Sequence, residues 1–383
     1  MTNHKVLKFP AIAPKFRGKV PPGFINDVKG WSNTKPEIEE ALKNGRMLTM
    51  DIDMSGKGAC SLRCGHCFRR TKDFWKEKRL GFDELGSNLR QAKALGVRSV
   101  KIIGPGEPLE DRSLFRLLSL LRELEIIPLI FTKGHVLGDE RLSQLKYGLS
   151  CDELAEKLYE IGATILQGAT SFDAPTEDST VGKEGYHSLR EKALIRLVRA
   201  GFADFTSGEP TRLGLSFSPV TPQNIDEALE AYAFARERHI QPVLGPLIMA
   251  GKAKARPDLL VQGEEFISLY VKLNLLAIKQ GIFTLDDLET LGVSAYGTTP
   301  PCSQLSTGMF LRGDGKVLRC PGNDTAIIGD VKEKTLTRIW EENVGLRRFK
   351  NPCNNCCPPK SAGCSYPKGF FDEVLRRVKE SLG

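Results

Sequence analysis

Met47-Leu48-Thr49-Met50-Asp51-Ile52-Asp53, followed six residues later by Cys60-Ser61-Leu62-Arg63-Cys64-Gly65-His66-Cys67, is the stretch whose reading decides the fold. The first part alternates apolar and polar side chains, the period-two signature of a strand. The cysteines lie just beyond that strand's C-terminal end, with gaps of three and two residues. Downstream, a strand–loop–helix unit repeats. Strands are predicted at Ser99–Ile103, Ile127–Phe131, Thr164–Gln167, Leu213–Phe217 and Gln241–Ile248. Helices are predicted at Phe82–Leu95, Ser113–Leu124, Cys151–Ile161, Ser188–Ala200 and Asn224–Arg238. Gly96, Gly162 and Gly201 close three of them, as a left-handed cap residue should. Six strands alternating with helices make βαβ units and a parallel sheet, hence an α/β chain built as a partial, TIM-like (β/α)6 barrel. Chemistry in such barrels gathers at the C-terminal ends of the strands.

The flanks are of a different kind. Residues 1–46 are Pro-rich, with one short helix predicted at Pro36–Lys43. After the barrel, placed at 47–261, the remainder 262–383 forms a linker helix and a small cysteine-rich domain. Its elements are a helix at Glu264–Gln280 and a hairpin whose strands Met309–Leu311 and Lys316–Leu318 flank Arg312-Gly313-Asp314-Gly315. A helix at Leu336–Glu342 and an amphipathic one at Phe370–Ser381 follow.

Composition narrows the class. The 383 residues are 40% hydrophobic and 27% charged, which excludes wholesale disorder. No apolar run reaches the roughly 18 residues of a membrane span. The N-terminus breaks its short apolar stretches with Lys and Pro and does not read as a secretory signal. Ten cysteines are too sparse for a disulfide scaffold, and their clustering points to metal in a reducing cytoplasm. The net charge of +8 is dispersed and forms no aromatic-basic platform, so a non-catalytic nucleic-acid-binding protein is the remotest reading.

Three thiolates on one short loop can hold three irons of a four-iron cluster and leave the fourth iron open. Zinc would need a fourth ligand, and His66 stands too close to Cys67 for joint chelation. Directly after the second strand comes Gly104-Pro105-Gly106-Glu107-Pro108. Its glycines let a ligand approach the backbone, and Glu107 can accept from an ammonium. The plainer reading is an ordinary Gly-Pro turn.

Together these motifs resemble the signature of the radical SAM superfamily over roughly residues 47–251. Phe131-Thr132-Lys133-Gly134, Ser171-Phe172-Asp173 and Pro219-Val220-Thr221-Pro222-Gln223-Asn224 resemble its further strand-end segments. Two departures are visible: His66 where an aromatic is usual, and Pro105 in place of a glycine. The resemblance implies that Cys60, Cys64 and Cys67 hold a 4Fe–4S cluster whose open iron takes S-adenosylmethionine. It implies that Gly104, Gly106, Glu107 and Pro108 line the methionine amino group, with Thr132, Ser171 and Asp173 also binding cofactor. It further implies a reductant such as flavodoxin or ferredoxin, and a 5′-deoxyadenosyl radical that removes hydrogen from a C–H bond.

Six more cysteines lie between Cys302 and Cys364. A zinc ribbon would use four of them. Cys302-x12-Gly315-x4-Cys320, then Cys353-x2-Cys356, instead resembles the SPASM/twitch extension of radical SAM enzymes, as do Gly329-Asp330-Val331 and Leu336-Thr337-Arg338-Ile339-Trp340. Two all-cysteine cubanes would need eight thiolates, so a single auxiliary 4Fe–4S cluster is expected. The resemblance assigns it Cys302, Cys320, Cys353 and Cys356. Cys357 and Cys364 are left over, and either can stand in for Cys356.

Ser150-Cys151-Asp152-Glu153 reads as a capping box, which puts Cys151 in a helix's first turn at the active face. There the dipole lowers a thiol's pKa, so Cys151 is a candidate hydrogen donor; packing of a small residue is the plainer reading. Gly134–Leu149 reads as an enlarged loop, a lid or substrate-binding element. Tyr186 and His187 read as substrate contacts or structural residues, and Lys252, Lys254 and Arg256 as an anion contact or a solvated loop. Two substrate classes remain. One is a small molecule of sugar, aminocyclitol or nucleoside type, oxidised through the auxiliary cluster. The other is a ribosomal peptide that is cross-linked or epimerised. Only 46 residues precede the first strand, which weakens the peptide reading.

Overall fold

Among the described residues, nine strands form a single sheet in the order β6-β5-β4-β3-β2-β1-β7-β8-β9. The computed structural model describes residues 7–54, 60–70, 79–261, 263–323, 325–346 and 366–383. The strands are β1 (Thr49–Ile52), β2 (Ser99–Ile102), β3 (Ile127–Thr132), β4 (Thr164–Ala169), β5 (Leu213–Val220), β6 (Gln241–Pro246), β7 (Gly308–Leu311), β8 (Lys316–Leu318) and β9 (Ile327–Asp330). β1 to β6 are parallel and adjacent in chain order, as the alternating pattern requires.

Helices cover the outer face. Leu114–Glu123 buries Leu114, Leu117, Leu118 and Leu121, the i, i+3, i+4, i+7 stripe of an amphipathic helix. These meet Met50, Ile52, Val100 and Ile102, the outward residues of β1 and β2, in the main core. Asp51 and Lys101 alternate with them and face inward. The barrel's own interior is a smaller apolar cluster of Leu129, Leu166 and Val243, plugged by Val28 and Trp31 from the N-terminal segment.

The C-terminal hairpin joins this sheet. β7 runs parallel to β1 in the register Thr49↔Gly308 to Ile52↔Leu311. β8 returns antiparallel, with Phe310 opposite Leu318. Two residues further on, Cys320 therefore falls level with Gly308 and Thr49, at the N-terminal end of β1. Among the elements not evident from periodicity are helices Ala174–Val181, Leu285–Leu291 and Gln304–Thr307, and strand β9. Gly134–Leu149 is helical, as His135–Gly138 and Glu140–Tyr147. Among the described residues, no helix is long and apolar enough to cross a membrane.

Candidate functional site

The cysteine loop at 60–70 lies over the C-terminal end of the barrel, and three other loops grip it. After β2, Glu110 Oε1 accepts from Ser61 N at 2.8 Å. After β4, Val181 O accepts from Arg63 N at 2.8 Å. After β6, Lys252 N donates to Cys67 O at 3.0 Å. Gly251 at that contact has φ +54°, and a Cβ there would lie 2.5 Å from Phe68 O. Only glycine lets the two backbones meet so closely. Leu62 fills a small apolar pocket with Val181 and Tyr186, pinning the loop's middle.

Glu110 was not singled out by sequence. It also accepts from His135 Nε2 at 2.8 Å, and Lys146 Nζ donates to its carbonyl at 2.9 Å. Burial works against its charge, yet the bonds from His135 and Ser61 hold its carboxyl down to about 2. Gly134–Leu149 is therefore a brace rather than a lid. Val136 and Leu137 are fully buried, and a Cβ on Gly138 would lie 2.0 Å from Leu189 O. No motif marks Glu110, because its role comes from contacts distant in sequence.

Cys60, Cys64 and Cys67 are half-buried and line a cavity of about 270 Å³ that descends into the barrel. Asp51, Lys101, Phe131, Leu166, Ser216 and Val243, one from each barrel strand, face into it. Burial pushes the Cys60 thiol up to about 12 and Cys64 up as well. Metals take cysteine as thiolate, so loading this loop displaces protons. Among the described residues, no three Cys, His, Asp or Glu side chains converge as a single metal ion needs. Three cysteine thiols lining one cavity are a donor set that an iron–sulfur cluster takes. His66 lines the same cavity, and burial lowers its pKa to about 3, leaving a neutral ring where an aromatic was expected.

The second motif is placed in part as expected. Gly104 and Gly106 have φ +100° and +104°, conformations that favour glycine. Gly106, Glu107 and Thr132 line the cavity; Gly104 and Pro108 are not among its lining residues. Glu107 is 2% exposed, and its oxygens accept from Leu109 N (3.1 Å), Thr132 Oγ1 (2.5 Å) and Lys133 N (2.7 Å). It ties the ends of β2 and β3 together, with little acceptor capacity left for an ammonium.

Ser171 and Asp173 depart from expectation. Ser171 Oγ donates to Glu227 at 2.7 Å and accepts from Asp173 N, while Asp173 caps helix Ala174–Val181 through Thr176 N. Neither lines the cavity. The buried carboxylates Glu177 and Glu227 organise this loop by accepting from the backbone of Thr170, Ser171 and Phe172. Cys151 likewise stands apart. The capping box forms, but the thiol is fully buried, donates to Val136 O at 3.5 Å, and is pushed up to about 12 by burial. Burial keeps the thiol protonated, and Cys151 is not among the residues that line the cavity. Tyr186 is also structural: its hydroxyl donates to Lys133 O at 2.8 Å.

Cys302 and Cys320 line the same cavity from its other end. Burial and the neighbouring Cys302 push Cys320 up. Cys353 and Cys356, expected to complete this set, lie outside the described residues, as do Cys357 and Cys364.

Comparisons with known proteins agree with this layout. Residues 290–358 match the iron–sulfur cluster-binding domain family SPASM. A GTP 3′,8-cyclase of Helicobacter pylori is 25% identical over 79% of this chain and 92% of its own length. A GTP 3′,8-cyclase of Staphylococcus carnosus is 30% identical over 29% of this chain, and the match spans only 31% of that relative. Among solved structures, Streptococcus suis SuiB bound to its precursor peptide SuiA shares the fold at TM-score 0.55 and 20% identity, covering 89% of this chain and 79% of SuiB. AdoMet-bound anSMEcpe does so at TM-score 0.57 and 15% identity, covering 87% and 98%.

Proposed function

We propose that this chain, a member of the radical SAM superfamily with a C-terminal SPASM region, abstracts hydrogen from a C–H bond of a small molecule. Cys60, Cys64 and Cys67 would hold the 4Fe–4S cluster that engages S-adenosylmethionine. Cys302 and Cys320, with cysteines from 353–364, would hold an auxiliary cluster. When bound, the cluster and S-adenosylmethionine together supply a 5′-deoxyadenosyl radical, and the auxiliary cluster supplies an electron acceptor.

The chain's own residues set the conditions for that chemistry. Glu110, Val181 and Lys252 fix the cysteine loop from three sides. Glu107 and Thr132 hold the ends of β2 and β3 in register beneath it. Trp31, Phe131 and Leu166 give the cavity apolar walls that keep water from a reactive radical. The observation that carries the reading is that both cysteine groups open on one cavity. The curated relatives are named for a reaction of GTP, itself a small molecule. A peptide substrate is the second reading, favoured by the fold shared with peptide-bound SuiB.

The test is anaerobic reconstitution with iron and sulfide, then dithionite and S-adenosylmethionine. Release of 5′-deoxyadenosine is expected. A fully reconstituted chain that releases none would overturn the proposal.

A further inference from the structure

We propose that Arg69 and Asp53 are positioning residues through which the C-terminal hairpin holds the cysteine loop, so that retention of the first cluster depends on a hairpin distant in sequence; this rests on the reading above that Cys60, Cys64 and Cys67 carry that cluster. Three chain segments meet on Asp53, which directly follows β1. Arg69, two residues after Cys67, donates from Nη2 to Asp53 Oδ2 at 2.7 Å. Gly313 N, in the turn between β7 and β8 and 260 residues away from Asp53, donates to the same oxygen at 3.3 Å. Asp53 N donates to Leu311 O at 3.1 Å, carrying the contact between β1 and β7 one residue past Ile52.

The hairpin supplies more than the turn. The Arg69 guanidinium lies over the Phe310 ring of β7, 4.5 Å from its centroid. Phe310 pairs in register with Asp51, so its ring is on the face of the sheet that Asp51 and Asp53 share. Arg69, Asp53 and Phe310 are all buried. The same turn anchors the chain where helix Phe82–Ala94 begins, because Leu80 N donates to Gly313 O at 2.8 Å. The grips of Glu110, Val181 and Lys252 act at Ser61, Arg63 and Cys67. Arg69 holds the loop's exit and brings in the C-terminal region.

A buried ion pair is a weak source of net stability, because desolvating two charges offsets their attraction. What this pair fixes is geometry. A guanidinium is planar with directed N–H donors, so bonding Asp53 while stacking on Phe310 selects one orientation of the Arg69 side chain. Removing either charged partner leaves the other buried and alone, whereas replacing both with neutral side chains of similar size leaves neither. Melting temperature and loop order therefore respond differently to the double replacement, and that difference separates positioning from stabilisation.

The test compares the full chain with Arg69→Met, Asp53→Asn, their double variant and Phe310→Leu. Thermal melting and hydrogen exchange of the 60–70 segment, read by mass spectrometry, are measured on metal-free protein. Iron loss to a chelator is measured after anaerobic reconstitution. Both single variants should melt lower, and the double variant should melt close to the parent. Exchange in 60–70 should nevertheless be about tenfold faster in the double variant, the factor that one hydrogen bond between charged groups supplies. About half of its iron, that of one cubane in two, should leave faster as well. Phe310→Leu should quicken exchange in 60–70 severalfold through loss of the cation–π contact, with Arg69 and Asp53 intact. Parental exchange and iron loss in the double variant would overturn the proposal, and so would faster exchange spread through the whole chain. Should the double variant fail to fold, Arg69→Lys decides, since it keeps the charge and loses the planar fork: faster exchange confined to 60–70 supports the proposal and parental exchange overturns it. Exchange in metal-free protein needs no S-adenosylmethionine chemistry. A chain whose 60–70 segment loosens as expected but which releases no 5′-deoxyadenosine keeps this inference and loses the proposed function; the opposite result does the reverse.

Discussion

Asp51→Asn should make the folded chain more stable at neutral pH. Burial pushes the Asp51 carboxyl from its ordinary 3.8 up to about 6, against the pull of Lys101 and Arg69. The folded state therefore holds its proton more tightly than the unfolded chain does. For an acid shifted in this direction, stability falls as pH rises from 3.8 to about 6, then stays level. Each pKa unit corresponds to about 1.4 kcal/mol, so the roughly two-unit shift costs on the order of 3 kcal/mol above pH 6. Asn mimics the neutral acid and removes that cost, and the loss of attraction to Lys101 is already counted in the net shift. Matched metal-free chains should be melted at pH 4 and pH 7.5. The variant and the parent should coincide at the lower pH, and the variant should melt several degrees higher at the upper. Equal or lower stability of Asp51→Asn at pH 7.5 would show that this carboxylate is not a buried, poorly satisfied charge, and the reasoning about the cavity wall would fail with it.

Removing the carboxylate of Glu110 by Glu110→Ala leaves Ser61 N and His135 without their acceptor and should cost about 3 kcal/mol, since hydrogen bonds to charged groups contribute most. Thermal melts would show the loss, and iron bound after reconstitution should fall as the cysteine loop loosens. Gly251→Ala should also lower bound iron, because φ +54° and the Phe68 carbonyl at 2.5 Å leave no room for Cβ; unchanged iron content would refute the close contact. Cys151→Ala should release 5′-deoxyadenosine at the parental rate and leave substrate turnover intact, as befits a thiol buried against Val136. Cys320→Ala should halve the iron from about eight to about four per chain, read by iron assay, if each cluster is a cubane.

The parallel barrel was legible because its strands and helices alternate at regular spacing, and because glycines close the helices. The cysteine loop was legible because its three cysteines are local in sequence. What escaped was non-local. No motif marks Glu110 or Glu227, yet each is buried and accepts from the backbone of a loop distant in sequence. Ser171 and Asp173 matched a motif, but the buried Glu227 and a helix N-terminus claim their side chains. Cys151 shows the same limit: its place in the first turn was foreseen, but its burial against Val136 was not, because sequence spacing does not reveal that contact.

β1 carries the lesson furthest. Its alternation, Thr49 and Asp51 against Met50 and Ile52, is that of a strand with one face in water. All four residues are buried. The apolar face packs under helices, and the polar face looks into a cavity that the N-terminal segment closes with Trp31. A polar stripe retained on a buried strand disfavours folding, as the raised Asp51 carboxyl records. Such a stripe persists where function requires it, since active sites are where stability is given up for fit. The parallel docking of β7 against β1 brings Cys302, Gln304 and Cys320 to that same stripe. The C-terminal region therefore completes the barrel's cavity rather than sitting beside it, and β1 runs between the two cysteine groups.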